Sequence, residues 1–172
     1  PNHSQLGHPT YYCYDTNGNV TLEQQTVSGQ PVRIVHLYDD DNNLLQTTYD
    51  DGSIATKTYV AHGNVETETD REGNVTRYTY TVDGRVKTVI DPVGNLTTNE
   101  YDNRGNLKRV IVDVPNGDDE ITEFEYYPSG NRQLVRDPLG HVTRYFYNAL
   151  GRLEREENAL GYSTVFDYNE LG

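Results

Sequence analysis

The chain has 172 residues, 34% hydrophobic and 24% charged, with 27 acidic against 14 basic side chains for a formal net charge of −13. A surface that acidic, with no Lys or Arg run, does not neutralise a phosphate backbone, so nucleic acid is not an expected partner. No apolar stretch approaches the roughly 20 residues that cross a bilayer as a helix, and the lone Cys13 excludes an internal disulfide or a paired-cysteine metal site.

Leu, Ile, Val and Phe together number only 38, whereas there are 15 Tyr and 19 Thr, with no Met and no Trp. Ring and β-branched side chains suit half-buried pleated surfaces better than helices. Tyrosine is therefore expected to supply much of any core. The polar start, Pro1 to Thr10, has no initiating Met and no signal peptide, which reads as a piece of a longer chain.

In chain order, the same element returns again and again. A strand carries Tyr12 and Tyr14 and ends four residues before Gly18; the tyrosine then recurs at Tyr38, Tyr59, Tyr80, Tyr101, Tyr126, Tyr147 and Tyr168, at spacings of 24, 21, 21, 21, 25, 21 and 21. The matching turn residues are Gly18, Asn42, Gly63, Gly84, Gly105, Gly130, Gly151 and Gly172. Asn is the residue after Gly that best tolerates positive φ. A second series, Gly52, Gly73, Gly94, Gly140 and Gly161, splits most periods in two, so each repeat holds two turns and two strands. The longer periods carry Ser28-Gly29-Gln30-Pro31 and Val114-Pro115-Asn116-Gly117-Asp118-Asp119 at the second turn, which predicts lengthened loops near 27–32 and 114–120 at an unchanged strand register.

Between turns the side chains alternate with period two, as in Val75-Thr76-Arg77-Tyr78-Thr79-Tyr80. The position two before the main tyrosine is a ring at Tyr12, Tyr78, Phe124, Tyr145 and Phe166, and is broken by His36, Lys57 and Asn99. Two residues after the turn glycine stands an aliphatic, at Val20, Leu44, Val65, Val86, Leu107 and Leu153, with Arg132 the exception. In the turns themselves, Asp places a carboxylate against backbone N–H groups, Pro presets φ and Gly takes positive φ. The whole reads as an all-β antiparallel hairpin meander of about seven 21-residue repeats, a single array over 1–172 that twists and curls about its aromatic face.

The phased recurrence of Tyr101-Asp102-Asn103-Arg104-Gly105-Asn106-Leu107, of Asp137-Pro138-Leu139-Gly140-His141-Val142-Thr143-Arg144-Tyr145-Phe146-Tyr147 and of Ala149-Leu150-Gly151-Arg152-Leu153 resembles the Rhs/YD-repeat family over essentially the whole chain. That resemblance implies a β-ribbon spiralling into a hollow shell, as in bacterial polymorphic toxins, toxin-complex components and teneurin-like surface proteins. It implies a non-catalytic wall, extracellular or at the cell surface, whose partners are neighbouring repeats or domains of the same parent chain. Seven repeats are fewer than such shells use, so this segment reads as part of a wall.

Other chemistry is weaker in the residues. Some relatives cleave themselves at paired Asp-Pro motifs, but Asp91-Pro92-Val93-Gly94 and Asp137-Pro138-Leu139-Gly140 lie far apart and are followed by Asn95 and His141, so both read as ordinary turns. His3, His8, His36, His62 and His141 lack a metal-site spacing, and no Ser sits in a nucleophile elbow. No cofactor is expected. Asp15-Thr16-Asn17-Gly18-Asn19 and Asp39-Asp40-Asp41-Asn42 invite calcium, but not in an EF-hand spacing, and polar turn chemistry accounts for them. Asn2, Asn19, Asn74 and Asn95 stand in glycosylation sequons, three of which are the repeat's own turn Asn. The alternative to a shell is a surface adhesin or self-assembling fibre, with glycans stacked on the tyrosine face or copies joined through open strand edges.

Overall fold

The computed structural model describes residues 9–169, which leaves His3, His8, the sequon at Asn2 and the turn residue Gly172 outside the described residues. Every long element among the described residues is a strand, and within each of two units the strand order follows the chain. Chain packing divides between Thr79 and Tyr80 into two compact units.

The first unit holds β1 (Tyr11–Tyr14), β2 (Val20–Val27), β3 (Gln30–Tyr38), β4 (Leu44–Thr48), β5 (Ile54–Tyr59), a single 3-10 turn at Ala61–Gly63, β6 (Val65–Thr69) and most of β7 (Val75–Tyr80). Each of these strands pairs antiparallel with the next. The second unit holds β8 (Val86–Ile90), β9 (Leu96–Tyr101), β10 (Leu107–Val112), β11 (Glu120–Tyr126), β12 (Arg132–Arg136), β13 (Val142–Tyr147), β14 (Leu153–Glu157) and β15 (Ser163–Val165), paired in the same way.

A period of 21 is odd, and side chains alternate faces at every residue, so an unbroken meander would swap the tyrosine face from one repeat to the next. A bulge beside the tyrosine prevents it. In both units the register slips by one residue next to Tyr14, Tyr38, Tyr59, Tyr101, Tyr126 and Tyr147, leaving Thr21, Leu45, Glu66, Lys108, Gln133 and Glu154 as the extra residues on the partner strands. Within each unit the tyrosines therefore stay on one face. Past the bulge each of these tyrosines lies opposite the residue two after the turn Gly or Asn: Tyr38 opposite Leu44, Tyr59 opposite Val65, Tyr101 opposite Leu107.

The two insertions are accommodated differently from each other. Residues 27–32, expected as a loop, are strand on either side of a two-residue turn: β2 runs to Val27, β3 starts at Gln30, and only Ser28 and Gly29 turn, both at positive φ. Three cross-strand pairs are added, Gln25–Val32, Thr26–Pro31 and Val27–Gln30, while the usual five-residue turn shrinks to two. Three extra residues alone would reverse the faces, and the shorter turn restores them. The second insertion is a longer loop with a single added pair, Val112–Glu120.

Among the described residues no apolar side chain is buried, and Thr47, 8% exposed, is the one residue of any kind that is. The expectation that tyrosine forms a core is thus corrected. Tyr11, Tyr12 and Tyr14 are 61%, 48% and 60% exposed, Tyr38, Tyr59, Tyr80, Tyr101, Tyr126 and Tyr147 are half-buried, and Tyr168 is exposed. The sheet is a single layer, with no second layer placed against either face in these units, and its order comes from backbone pairing, turns and cross-strand side-chain contacts.

The turn glycines sit at φ between +76° and +95° in the ten hairpin turns of Gly18, Gly52, Gly63, Gly73, Gly84, Gly94, Gly105, Gly130, Gly140 and Gly151, and Gly161 follows at +82°. At Gly94 nothing lies near a Cβ, so only backbone strain opposes a side chain. Gly94→Ala is expected to lower stability by about 1–2 kcal/mol in urea unfolding, the cost of a Cβ in the left-handed region.

Candidate functional site: the tyrosine face and its turns

The recurrent tyrosine works through its hydroxyl as well as its ring. Tyr59, Tyr101 and Tyr168 donate to the carbonyls of Leu44, Val86 and Leu153, each fifteen residues back, at 2.8, 2.8 and 2.6 Å. Tyr126 donates to Leu107 at 2.9 Å, nineteen back because the 114–119 loop intervenes. In these four cases the acceptor is the residue two after a turn residue of the Tyr series, Asn42 for Leu44 and Gly84, Gly105 and Gly151 for Val86, Leu107 and Leu153. The recurrent aliphatic thus serves a backbone role, and its carbonyl ties its own strand to the next tyrosine. Tyr147 stacks edge-on against Tyr127 at 6.1 Å, and burial pushes its hydroxyl pKa up.

The turns are closed by a carboxylate. In the segments that begin at Asp15, Asp39, Asp70, Asp91 and Asp102, one oxygen accepts the N–H groups two and four residues on, and the other accepts the side-chain amide of Asn19, Asn43, Asn74, Asn95 or Asn106 at 2.7–3.0 Å. The bond from that Asn is the main cause that holds the Asp15, Asp39, Asp70 and Asp102 carboxyls below their ordinary pKa. At Asp137 the partner is His141, with Nδ1 2.8 Å from the carboxylate. Thr81, Asn148 and Asn158 cap their turns with a hydroxyl or amide oxygen.

This arrangement decides where the other candidate residues stand. Both oxygens of Asp15 and Asp39 are engaged within their own turns, and no three acidic, His or Cys side chains converge among the described residues. Asp91 and Asp137 cap separate turns, the first between β8 and β9 and the second between β12 and β13. The sequon amides of Asn19, Asn74 and Asn95 donate to their turn Asp.

Where the ring stripe is interrupted, polar bridges replace it. His36 on β3 places Nε2 3.3 Å from Glu23 on β2 and Nδ1 3.1 Å from Thr47 on β4, so one imidazole spans three strands. Lys57 pairs with Glu68 across β5 and β6 at 3.0 Å. Arg132, in the aliphatic slot, lies over Phe124 at 5.3 Å. None of these bridges was visible in the repeat pattern, although the interruptions at His36, Lys57 and Arg132 marked their places. In the second unit an open groove of about 530 Å³ runs between two successive turns, lined by Tyr127, Phe146, Tyr147, Asn148 and Glu154 among others. It offers ring surface beside polar groups.

The family model of the RHS repeat matches residues 59–96 and 126–161. Among solved structures, the chain is similar to the crystal structure of TcdB2-TccC3-TEV, with a TM-score of 0.71 at 16% identity over 95% of this chain and 9% of that one. It is also similar to the crystal structure of TcdB2-TccC3, with a TM-score of 0.59 at 13% identity over 94% of this chain and 14% of that one. A Tc holotoxin pore of Photorhabdus luminescens gives 0.58 at 13% identity, over 94% and 13%. The chain therefore spans no more than 14% of the length of these structures, and the likeness is one of fold. No curated protein sequence matches it.

Two outcomes follow from the geometry. Tyr59→Phe removes one hydroxyl bond and keeps the ring, so it should lower stability by about 0.5–1.5 kcal/mol in urea unfolding. The carboxyls of Asp15, Asp39, Asp70 and Asp102 have folded pKa values below the ordinary 3.8, so their contribution is complete above that value and is lost as pH falls through the folded ones. An acid titration followed by circular dichroism should show loss of strand signal beginning below about pH 4, and Asp70→Asn combined with Asp102→Asn should weaken that dependence.

Proposed function

We propose that this chain, which matches the RHS repeat model at residues 59–96 and 126–161, is a non-catalytic length of wall in a toxin-encapsulating β-shell of the Rhs/YD-repeat family. The observation that carries the reading is the single-layer sheet. The recurrent Tyr, Asp, Gly and Asn residues serve turns, bulges and hydroxyl bonds, as at Tyr59, Asp102, Gly105 and Asn106, and no metal-holding cluster of acidic, His or Cys side chains stands outside that pattern among the described residues. A sheet without a buried core is suited to separating two spaces. Its fold likeness to parts of TcdB2-TccC3 structures, which are far longer, supports a place within a larger closed assembly.

In this reading the wall works outside the cell or at its surface, and its partners are the adjoining repeats and the domain that the shell surrounds. It needs no cofactor. The test is to purify the parent chain with its downstream domain and view it by negative-stain microscopy. Hollow particles whose downstream domain resists added protease are expected; fibres, or particles whose downstream domain is digested at once, would overturn the reading.

A further inference from the structure

The residue directly after the turn glycine takes two forms along the Tyr-side turns of the second unit, and they do different things. Asn106 turns back to Asp102 and closes its own turn. Arg85 and Arg152 follow Gly84 and Gly151 in turns headed by Thr81 and Asn148, which offer a single capping oxygen and no second carboxylate oxygen. Their guanidinium groups extend to the next repeat. Arg85 lies 5.6 Å from the ring centre of Tyr101, and Arg152 lies 4.5 Å from that of Tyr168, each sixteen residues on.

The same two tyrosines donate their hydroxyls to Val86 and Leu153, the residues immediately after those arginines. Each ring is thus held at two points by one dipeptide, its hydroxyl by the carbonyl of the second residue and its face by the guanidinium of the first. The Arg85 guanidinium also lies so close to Gly105 that a Cβ there would collide with it, and it pairs with Asp83. Over Tyr126, whose acceptor Leu107 follows Asn106, no guanidinium lies among the described residues.

We propose that the dipeptides Arg85-Val86 and Arg152-Leu153, each directly after a turn glycine, are inter-repeat clasps, with Arg85 and Arg152 the positioning residues that fix the tyrosine of the following repeat, whereas the side chain of Asn106 serves its own turn. The identity of one residue then decides whether a repeat is coupled to its successor through the ring face or through the hydroxyl alone. A guanidinium over a ring is attractive because its charge meets the negative π face, and it covers that face from solvent.

The test is residue-resolved tyrosine nitration or hydroxyl-radical labelling of the 172-residue chain, read by mass spectrometry. Arg85→Ala should raise the labelling rate of Tyr101 by about two- to fivefold, the factor such a contact is worth at a partly exposed ring, and should leave Tyr126 unchanged. Arg85→Lys should fall between the two, and Arg152→Ala should act on Tyr168 alone. Transplanting the clasp with Asp102→Thr and Asn106→Arg should slow the labelling of Tyr126. Circular dichroism identifies variants that keep the strand content, and the comparison is made among those. An unchanged Tyr101 in a folded Arg85→Ala or Arg85→Lys chain, or an equal rise at Tyr126, would overturn the proposal.

Discussion

The whole arrangement depends on a conflict of parity. Side chains in a strand change face at each residue, the repeat has an odd number of residues, and yet the tyrosines within each unit share a face. A bulge next to the tyrosine, seen at Tyr14, Tyr38, Tyr59, Tyr101, Tyr126 and Tyr147, reconciles these. Because the bulge sits there, the tyrosine faces the residue two after the glycine, and the turn between them can carry its Asp and Asn in the same places every time. Bulges bend and twist a strand locally, so a bulge repeated on one side of a meander imposes the same distortion at each step.

The second theme is how a sheet holds without a core. Hydrophobic burial usually dominates folding, but here both faces remain partly exposed and the apolar side chains are half-buried at best. The compensation is distributed. Hydroxyl bonds fasten strand to strand on the tyrosine face, and carboxylates close the turns. On the opposite face of the second unit a ladder of alternating sign crosses four strands, from Glu100 to Arg109 to Glu123 to Arg136, at 3.2, 3.6 and 3.5 Å. Each such exposed pair contributes roughly 0–1 kcal/mol. Their shared effect is to favour this register, since a slip by one residue takes each charge away from its partner.

Much of this was legible in the sequence because the repeat displays it. The strands, the two turns per unit and the residues at the turns follow from the spacing of Tyr and Gly. Three features were not legible, for physical reasons. The bulge has no composition of its own, since its extra residue is Thr21, Leu45, Glu66, Lys108, Gln133 or Glu154, although the odd period required it. The hydroxyl bond joins residues fifteen apart through geometry that no spacing reports. The role of tyrosine as core material was inferred from composition, which counts apolar mass without knowing how many layers will share it. His36 and Lys57 looked like lapses in a ring stripe, and their bridges to neighbouring strands depend on Glu23, Thr47 and Glu68, which the pattern did not single out.

The hairpin of β2 and β3 shows that a sheet of this weave tolerates growth at its rim. Three residues enter there, yet every pair below Gln24 and Arg33 keeps its place, since a tighter reversal absorbs the change of parity. Loop length and strand length are thus interchangeable currency for evolution along that border: decorations of differing reach can be raised from one repeat while the fabric beneath stays in step.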